Sequence, residues 1–234
     1  MRQKTVSGIP GLDNVLFGGF PQGNTIIVEG GPGTGKTTFG IQFLLEGIRK
    51  HNEPGIFITF EEFPEQIYED MKLFNWDLRK LEQENKLRVV GLSPETLIDQ
   101  MVKPGGLFEE LIKEIDCKRV VIDSISLIKY VNGDERKMLY TIRNVLRKHG
   151  LTSILLQEQS PLKSETASVE HFVFDGYIRL AIKTRFNTLR KRTIEVLKMR
   201  GTRTADGEHP YRILDNGLYV QKMSLLSRFM KSLV

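Results

Sequence analysis

The sequence predicts an α/β fold: a mainly parallel, twisted sheet flanked by helices, with antiparallel strands added near the C-terminus. Three observations carry that reading. Through residue 157, short apolar runs alternate with segments of helical period, the pattern of a parallel sheet covered by helices. After about residue 172, strand-like runs follow one another with no room for intervening helices. Asp215-Asn216-Gly217, between the last two runs, contains a hairpin-turn signal.

The elements follow in order. Thr25–Glu29 is the first expected strand, and it ends in a glycine cluster. Ile41, Leu44, Leu45 and Ile48 then repeat at i, i+3, i+4 and i+7, one face of a helix. Ile56–Phe60 reads as a second strand ending at Glu61-Glu62, and Pro64 suits the first position of the next helix. Leu87–Val90, Arg119–Asp123 and Ser153–Gln157 are further short β runs. Between the last two, Met138, Leu139, Ile142, Val145 and Leu146 line a helix that Gly150 is placed to close. Gly176–Lys183, Arg192–Lys198, Tyr211–Leu214 and Leu218–Val220 form the expected antiparallel extension. Ser224–Val234 carries an apolar stripe of Leu225, Leu226, Phe229, Met230 and Leu233, an amphipathic tail that must dock on something to be helical.

The chain has 234 residues, of which 40% are hydrophobic and 27% charged, an ordinary soluble composition. One domain over residues 1–234 is expected, with 221–234 as its tail. At this size roughly 72% of the unfolded surface is buried on folding, so neither disulfides nor a structural metal is needed. The single Cys117 excludes an internal disulfide and a cysteine zinc site, and the four histidines show no ligand spacing. Met1-Arg2-Gln3-Lys4-Thr5 leads into Gly and Pro rather than an apolar signal core, and no apolar run approaches 18 residues. A cytoplasmic protein with no membrane partner is the expectation. Net charge is +5 but uneven: residues 1–178 carry a net −4 and residues 179–234 a net +9. An acidic body with a basic C-terminal quarter suits either a polyanion or self-association between complementary faces.

Chemistry enters at Gly30-Gly31-Pro32-Gly33-Thr34-Gly35-Lys36-Thr37, which fits G-x-x-x-x-G-K-[ST] between a strand and a helix. Glycines let successive N–H groups turn inward onto phosphate oxygens, and the following helix adds the positive end of its dipole. Gly31, Pro32, Gly33, Thr34, Gly35, Lys36, Thr37 and Thr38 are the expected phosphate-binding residues. Lys36 is placed to reach the terminal phosphates and the Thr37 hydroxyl to bind Mg²⁺. A dinucleotide-binding reading fails because the third glycine of G-x-G-x-x-G falls on Thr38.

Three acidic segments surround this motif. Arg119-Val120-Val121-Ile122-Asp123 is an apolar strand ending in a carboxylate, the form of a segment whose Asp holds Mg²⁺. Glu61 and Glu62 follow a strand at the edge where ligands of such sheets bind, and one of them can orient or deprotonate an attacking water. Gln157 and Glu158 end a third strand at the same edge, and are candidates to sense a terminal phosphate through hydrogen bonds.

With these residues in view, the chain resembles KaiC-type ATPases of the RecA-like branch of P-loop NTPases. The resemblance rests on Ser7-Gly8-Ile9-Pro10-Gly11-Leu12-Asp13, Gly18-Gly19-Phe20-Pro21-Gln22-Gly23, the phosphate loop, Thr59-Phe60-Glu61-Glu62, Val121-Ile122-Asp123-Ser124 and Lys198-Met199-Arg200-Gly201-Thr202. It covers nearly the whole chain. It implies ATP and Mg²⁺ as ligands, a homo-oligomeric ring that is usually a hexamer, ATP between subunits, and Glu61-Glu62 as the catalytic acid pair. It also implies that Lys198 and Arg200 reach the ATP of the neighbouring subunit. Strand geometry agrees, since residues i and i+2 face the same way. The adjacent Ser and Thr that accept phosphate in autophosphorylating relatives are replaced here by His171 and Phe172, so no autokinase activity is expected.

Two other function classes compete with a ring-forming ATPase. Arg185, Arg190, Lys191 and Arg192 keep a DNA-binding, recombinase-like ATPase open, although nucleic acid is not the favoured partner. A nucleotide-gated scaffold with negligible turnover is the other. The protein client is unknown.

Overall fold

A computed structural model describes residues 3–159, 172–185 and 189–221. The tail at 222–234, His171 and the Arg185 side chain lie outside the described residues.

Nine strands form one sheet: β3 (Thr25–Gly30), β4 (Gly55–Thr59), β5 (Leu87–Gly91), β6 (Arg119–Asp123), β7 (Thr152–Glu158), β8 (Gly176–Arg185), β9 (Leu189–Met199), β10 (Glu208–Leu214) and β11 (Gly217–Val220). Their order across the sheet is β11-β10-β9-β8-β3-β7-β6-β4-β5. All nine correspond to the expected runs, but β8, expected in the antiparallel extension, joins the parallel core beside β3, and the antiparallel pairing begins only at β9. β3 to β8 pair in parallel, and β9, β10 and β11 continue the sheet antiparallel beyond β8. A separate two-stranded sheet, β1 (Lys4–Thr5) with β2 (Phe20–Pro21), has no counterpart in the sequence reading.

The central parallel strands β3, β4, β6 and β7 are buried along nearly their whole length because helices cover both their faces. On one side lie α1 (Leu12–Val15), α2 (Lys36–Glu46), α3 (Pro64–Lys72) and α4 (Leu78–Gln83). On the other lie α5 (Pro94–Val102), α6 (Leu107–Ile115) and α7 (Glu135–Lys148). Ile41, Leu44, Leu45 and Ile48 are all buried on the first side, as their spacing predicts. Pro64 opens α3. Gly150 closes α7 at φ +68°, its N–H bonded to the Arg147 carbonyl. Trp76 is buried and stacked on Phe74, and Cys117 is buried, both packing residues. Among the described residues no helix is long and apolar enough to cross a membrane.

Candidate nucleotide site

Parallel strands all end at the same edge of a sheet, so the loops after β3, β4, β6 and β7 share one crevice. β3 leads into the glycine-rich loop, and α2 begins at Lys36 directly behind it. Gly35 sits at φ +86°, a conformation side chains rarely adopt. A Cβ there would also stand 2.7 Å from Ile213 Cδ1, so the turn into α2 needs glycine for conformation and for space. The first-turn N–H groups of α2 have no partner in their own helix and point out of its N-terminus.

Lys36, Thr37, Thr59, Glu61, Glu62, Asp123, Ser124 and Glu158 line one cavity of about 140 Å³ at this edge. Lys36 Nζ donates to the carbonyls of Gly30 at 2.9 Å and Gly31 at 3.4 Å. Thr37 Oγ1 donates to Asp123 Oδ2 at 2.8 Å. Glu61 and Glu62 lie two and three residues beyond the end of β4 rather than on it, in a turn tied by Glu62 N donating to Thr59 Oγ1 at 3.1 Å. Gln157 is buried near the end of β7, and the next residue, Glu158, is the one that lines the cavity.

Among the described residues one cation therefore faces four carboxylates. Burial, with lesser contributions from Glu62 and Glu61, pushes the Asp123 carboxyl up to about 6, against the pull of the Thr37 hydroxyl and the Lys36 ammonium. The Glu62 carboxyl is also raised, first by burial and then by Asp70 and Glu61. So acidic a cavity repels a polyphosphate unless a divalent cation enters with it. The Thr37 hydroxyl and Asp123 carboxylate are hard oxygen donors suited to Mg²⁺, which keeps several waters and needs few protein ligands. Among the described residues no three His, Cys, Asp or Glu side chains form a metal cage. The donor set fits a cation completed by water and phosphate.

The antiparallel strands grip the outside of the loop, a contact the sequence reading missed. Tyr211 OH donates to the Thr34 carbonyl at 2.6 Å, and Arg192 Nη2 donates to the Gly33 carbonyl at 3.2 Å. Arg190, Lys191, Arg192 and Arg212 line a cleft of about 490 Å³ beside them.

Lys198 and Arg200 are not at this cavity. Met199 pairs with Gly176, which pairs with Ile26, so these residues lie near the start of β3. That is about 13 Å along the strand from Gly30, at the opposite edge of the sheet. Met199 is buried, whereas Arg200 lies past the end of β9 in the following turn.

Comparison with known proteins gives this geometry a family. A model of the KaiC ATPase domain matches residues 5–224. The chain belongs to the KaiC ATPase family. A UPF0273 protein of Pyrococcus furiosus is 36% identical over 97% of this chain and 98% of its own length. The circadian clock oscillator protein KaiC of Nostoc is 36% identical over 93% of this chain, which spans 44% of that longer protein. A crystal structure of a KaiC-like protein from Pyrococcus horikoshii superimposes with a TM-score of 0.84 at 35% identity, covering 95% of this chain and all of that one. The KaiC-like fold is thus shared across the parallel core and the antiparallel extension. Membership implies nucleotide binding and ATPase chemistry.

Proposed function

We propose that this protein is a Mg²⁺-dependent ATPase that assembles into a ring, with ATP held between subunits. The observation that carries the reading is the single cavity shared by Lys36, Thr37, Asp123, Glu61 and Glu62 at the end of the glycine-rich loop. In this reading the loop amides and the α2 N-terminus bind the phosphates. Lys36 turns from the Gly30 and Gly31 carbonyls to the terminal phosphates. Mg²⁺, held by Thr37 and Asp123, supplies charge neutralisation at the phosphates. Glu61 or Glu62 orients the attacking water and takes its proton, and the raised affinity of Glu62 for a proton suits a base.

The remote position of Lys198 and Arg200 supports a ring. They cannot serve the loop of their own chain, but the opposite edge of one subunit can face the nucleotide edge of the next. An arginine supplied in trans is typically worth 10³–10⁵ in rate. The test is ATP turnover measured together with sizing, with and without Mg²⁺ and single-stranded DNA. Mg²⁺-dependent turnover in a multi-subunit species supports the reading. Turnover by a monomer, or a DNA requirement, overturns it.

A further inference from the structure

Lys198 and Arg200 are held by a short segment that has no part in the chemistry above. Lys198 Nζ donates to the Phe174 carbonyl at 2.7 Å, and Arg200 Nη2 to the Phe172 carbonyl at 3.3 Å. Arg200 N donates to the Asp175 carbonyl at 2.8 Å, and Asp175 N to the Thr25 carbonyl at 2.9 Å. Asp175 is buried, its side chain 11% exposed. Its Oδ2 accepts from Thr25 N at 3.2 Å, while its Oδ1 faces Arg143 Nη2 at 3.3 Å and Arg200 Nη1 at 3.8 Å. One carboxylate thus meets the first residue of β3, the middle of α7 and the turn after β9.

A carboxylate so enclosed is costly unless N–H and cationic groups surround it, and these three do. Arg143 is largely buried and belongs to the fold, whereas the Arg200 side chain is 51% exposed. Arg200 is therefore held on one side and open on the other. A long side chain in a surface turn samples many rotamers, and a fixed carboxylate behind its guanidinium removes most of them.

We propose that Asp175 is a positioning residue for the cation given in trans, holding the Arg200 guanidinium in the orientation that meets the neighbouring subunit's triphosphate. The proposal rests on the ring reading above. Through Thr25 the same carboxylate is fastened to the strand whose far end opens the phosphate loop, so the aim of Arg200 is fixed to the frame of its own subunit's site.

Asp175→Asn tests it, because the amide oxygen still accepts from Thr25 N while the charge facing Arg200 is gone. The expected result is an ATP KM within about twofold of wild type and a kcat lower by roughly 10- to 10²-fold, as for a small misplacement of a reacting group. In an Arg200→Ala background the same change should cost less than twofold more. Unchanged kcat, or a full further loss in that background, overturns the proposal.

Mixed rings decide the case even where Asp175→Asn lowers the melting temperature. Lys36→Ala subunits, whose ATP affinity should fall by roughly 10²-fold or more, carry an intact Asp175 and Arg200. Placed beside Asp175→Asn subunits they complete half-formed sites, and turnover per ATP-competent subunit should rise several-fold over pure Asp175→Asn rings. A folding defect in the ATP-holding subunit is not repaired this way. Rescue of Arg200→Ala but not of Asp175→Asn overturns the positioning role and leaves the trans reading standing. Rescue of neither, or no turnover in the wild type, overturns the trans reading and the proposal with it.

Discussion

Thr37 Oγ1 donates to Asp123 Oδ2 across 2.8 Å, joining the first turn of α2 to the end of β6. The hydroxyl is the main group favouring the ionised form of a carboxyl that burial has raised to about 6. An unfolded Asp titrates near 3.9. A raised folded value means the protonated form is favoured by folding. Its contribution is fully present below about pH 4 and is lost as pH rises through 6. At pH 8 without nucleotide, ionised Asp123 costs on the order of 3 kcal/mol. Asp123→Asn should therefore raise the melting temperature at pH 8 and flatten its dependence between pH 4 and 8, while losing Mg²⁺-dependent ATP binding. Melting curves across that range check both parts. A lower melting temperature at pH 8 would show that Asp123 is stabilising as the anion.

Among the described residues Lys36 is the sole cation lining the cavity, and it now spends its donors on the Gly30 and Gly31 carbonyls. Lys36→Ala removes charge-assisted bonds worth about 1.5–3 kcal/mol each to the phosphates. ATP affinity measured by calorimetry should fall by roughly 10²-fold or more with the fold intact. Wild-type affinity in the variant would move the site elsewhere.

Glu61 and Glu62 sit on the turn after β4 and line the cavity together with Lys36. Replacing both with Gln preserves shape and hydrogen bonding but removes the proton acceptor. ATP binding should persist while turnover drops by roughly 10²–10⁴, the usual contribution of a general base. Should turnover survive, Glu158 is the next carboxylate lining the same cavity.

Tyr211 reaches the Thr34 carbonyl from the antiparallel extension with its hydroxyl buried. Tyr211→Phe leaves that carbonyl unpaired and should cost about 1–3 kcal/mol. Part of the cost should appear as weaker ATP binding, because the loop loses its outer restraint. Equal ATP affinity in the two proteins would show that the loop holds its shape without this bond.

Much of this arrangement was legible because its signals are local. The strands announced themselves as apolar runs between turn residues, and the phosphate loop as eight consecutive residues. Helices α5 and α6 were equally legible and went unassigned. Ser93 caps α5 through Thr96 N with Pro94 behind it, and Phe108, Leu111, Ile112 and Ile115 repeat at helical spacing. The grip of Arg192 and Tyr211 on the loop joins residues 159 and 177 positions apart, and no local pattern encodes such a pairing. Lys198 and Arg200 were expected to converge because they alternate along one strand. They do approach one segment, but the register between β8 and β9 shifts at Tyr177/Ile178 and Arg200 turns out of the strand. Their common anchor at 172–175 depends on that irregularity, which periodicity does not show.

The grip on the phosphate loop also sets an order of events during synthesis. The loop is made among the first forty residues, yet Arg192, Tyr211, Ile213 and the Leu218 backbone, which Gln42 of α2 clasps through both its amide atoms, emerge some 150 to 180 residues later. A nascent chain on the ribosome thus carries the nucleotide motif long before it has the parts that shape it. Competence for ATP arrives almost with the last strand. Nascent chains stalled with residue 205 as the last to emerge should ignore ATP, and those that expose residue 221 should retain it on a nucleotide resin.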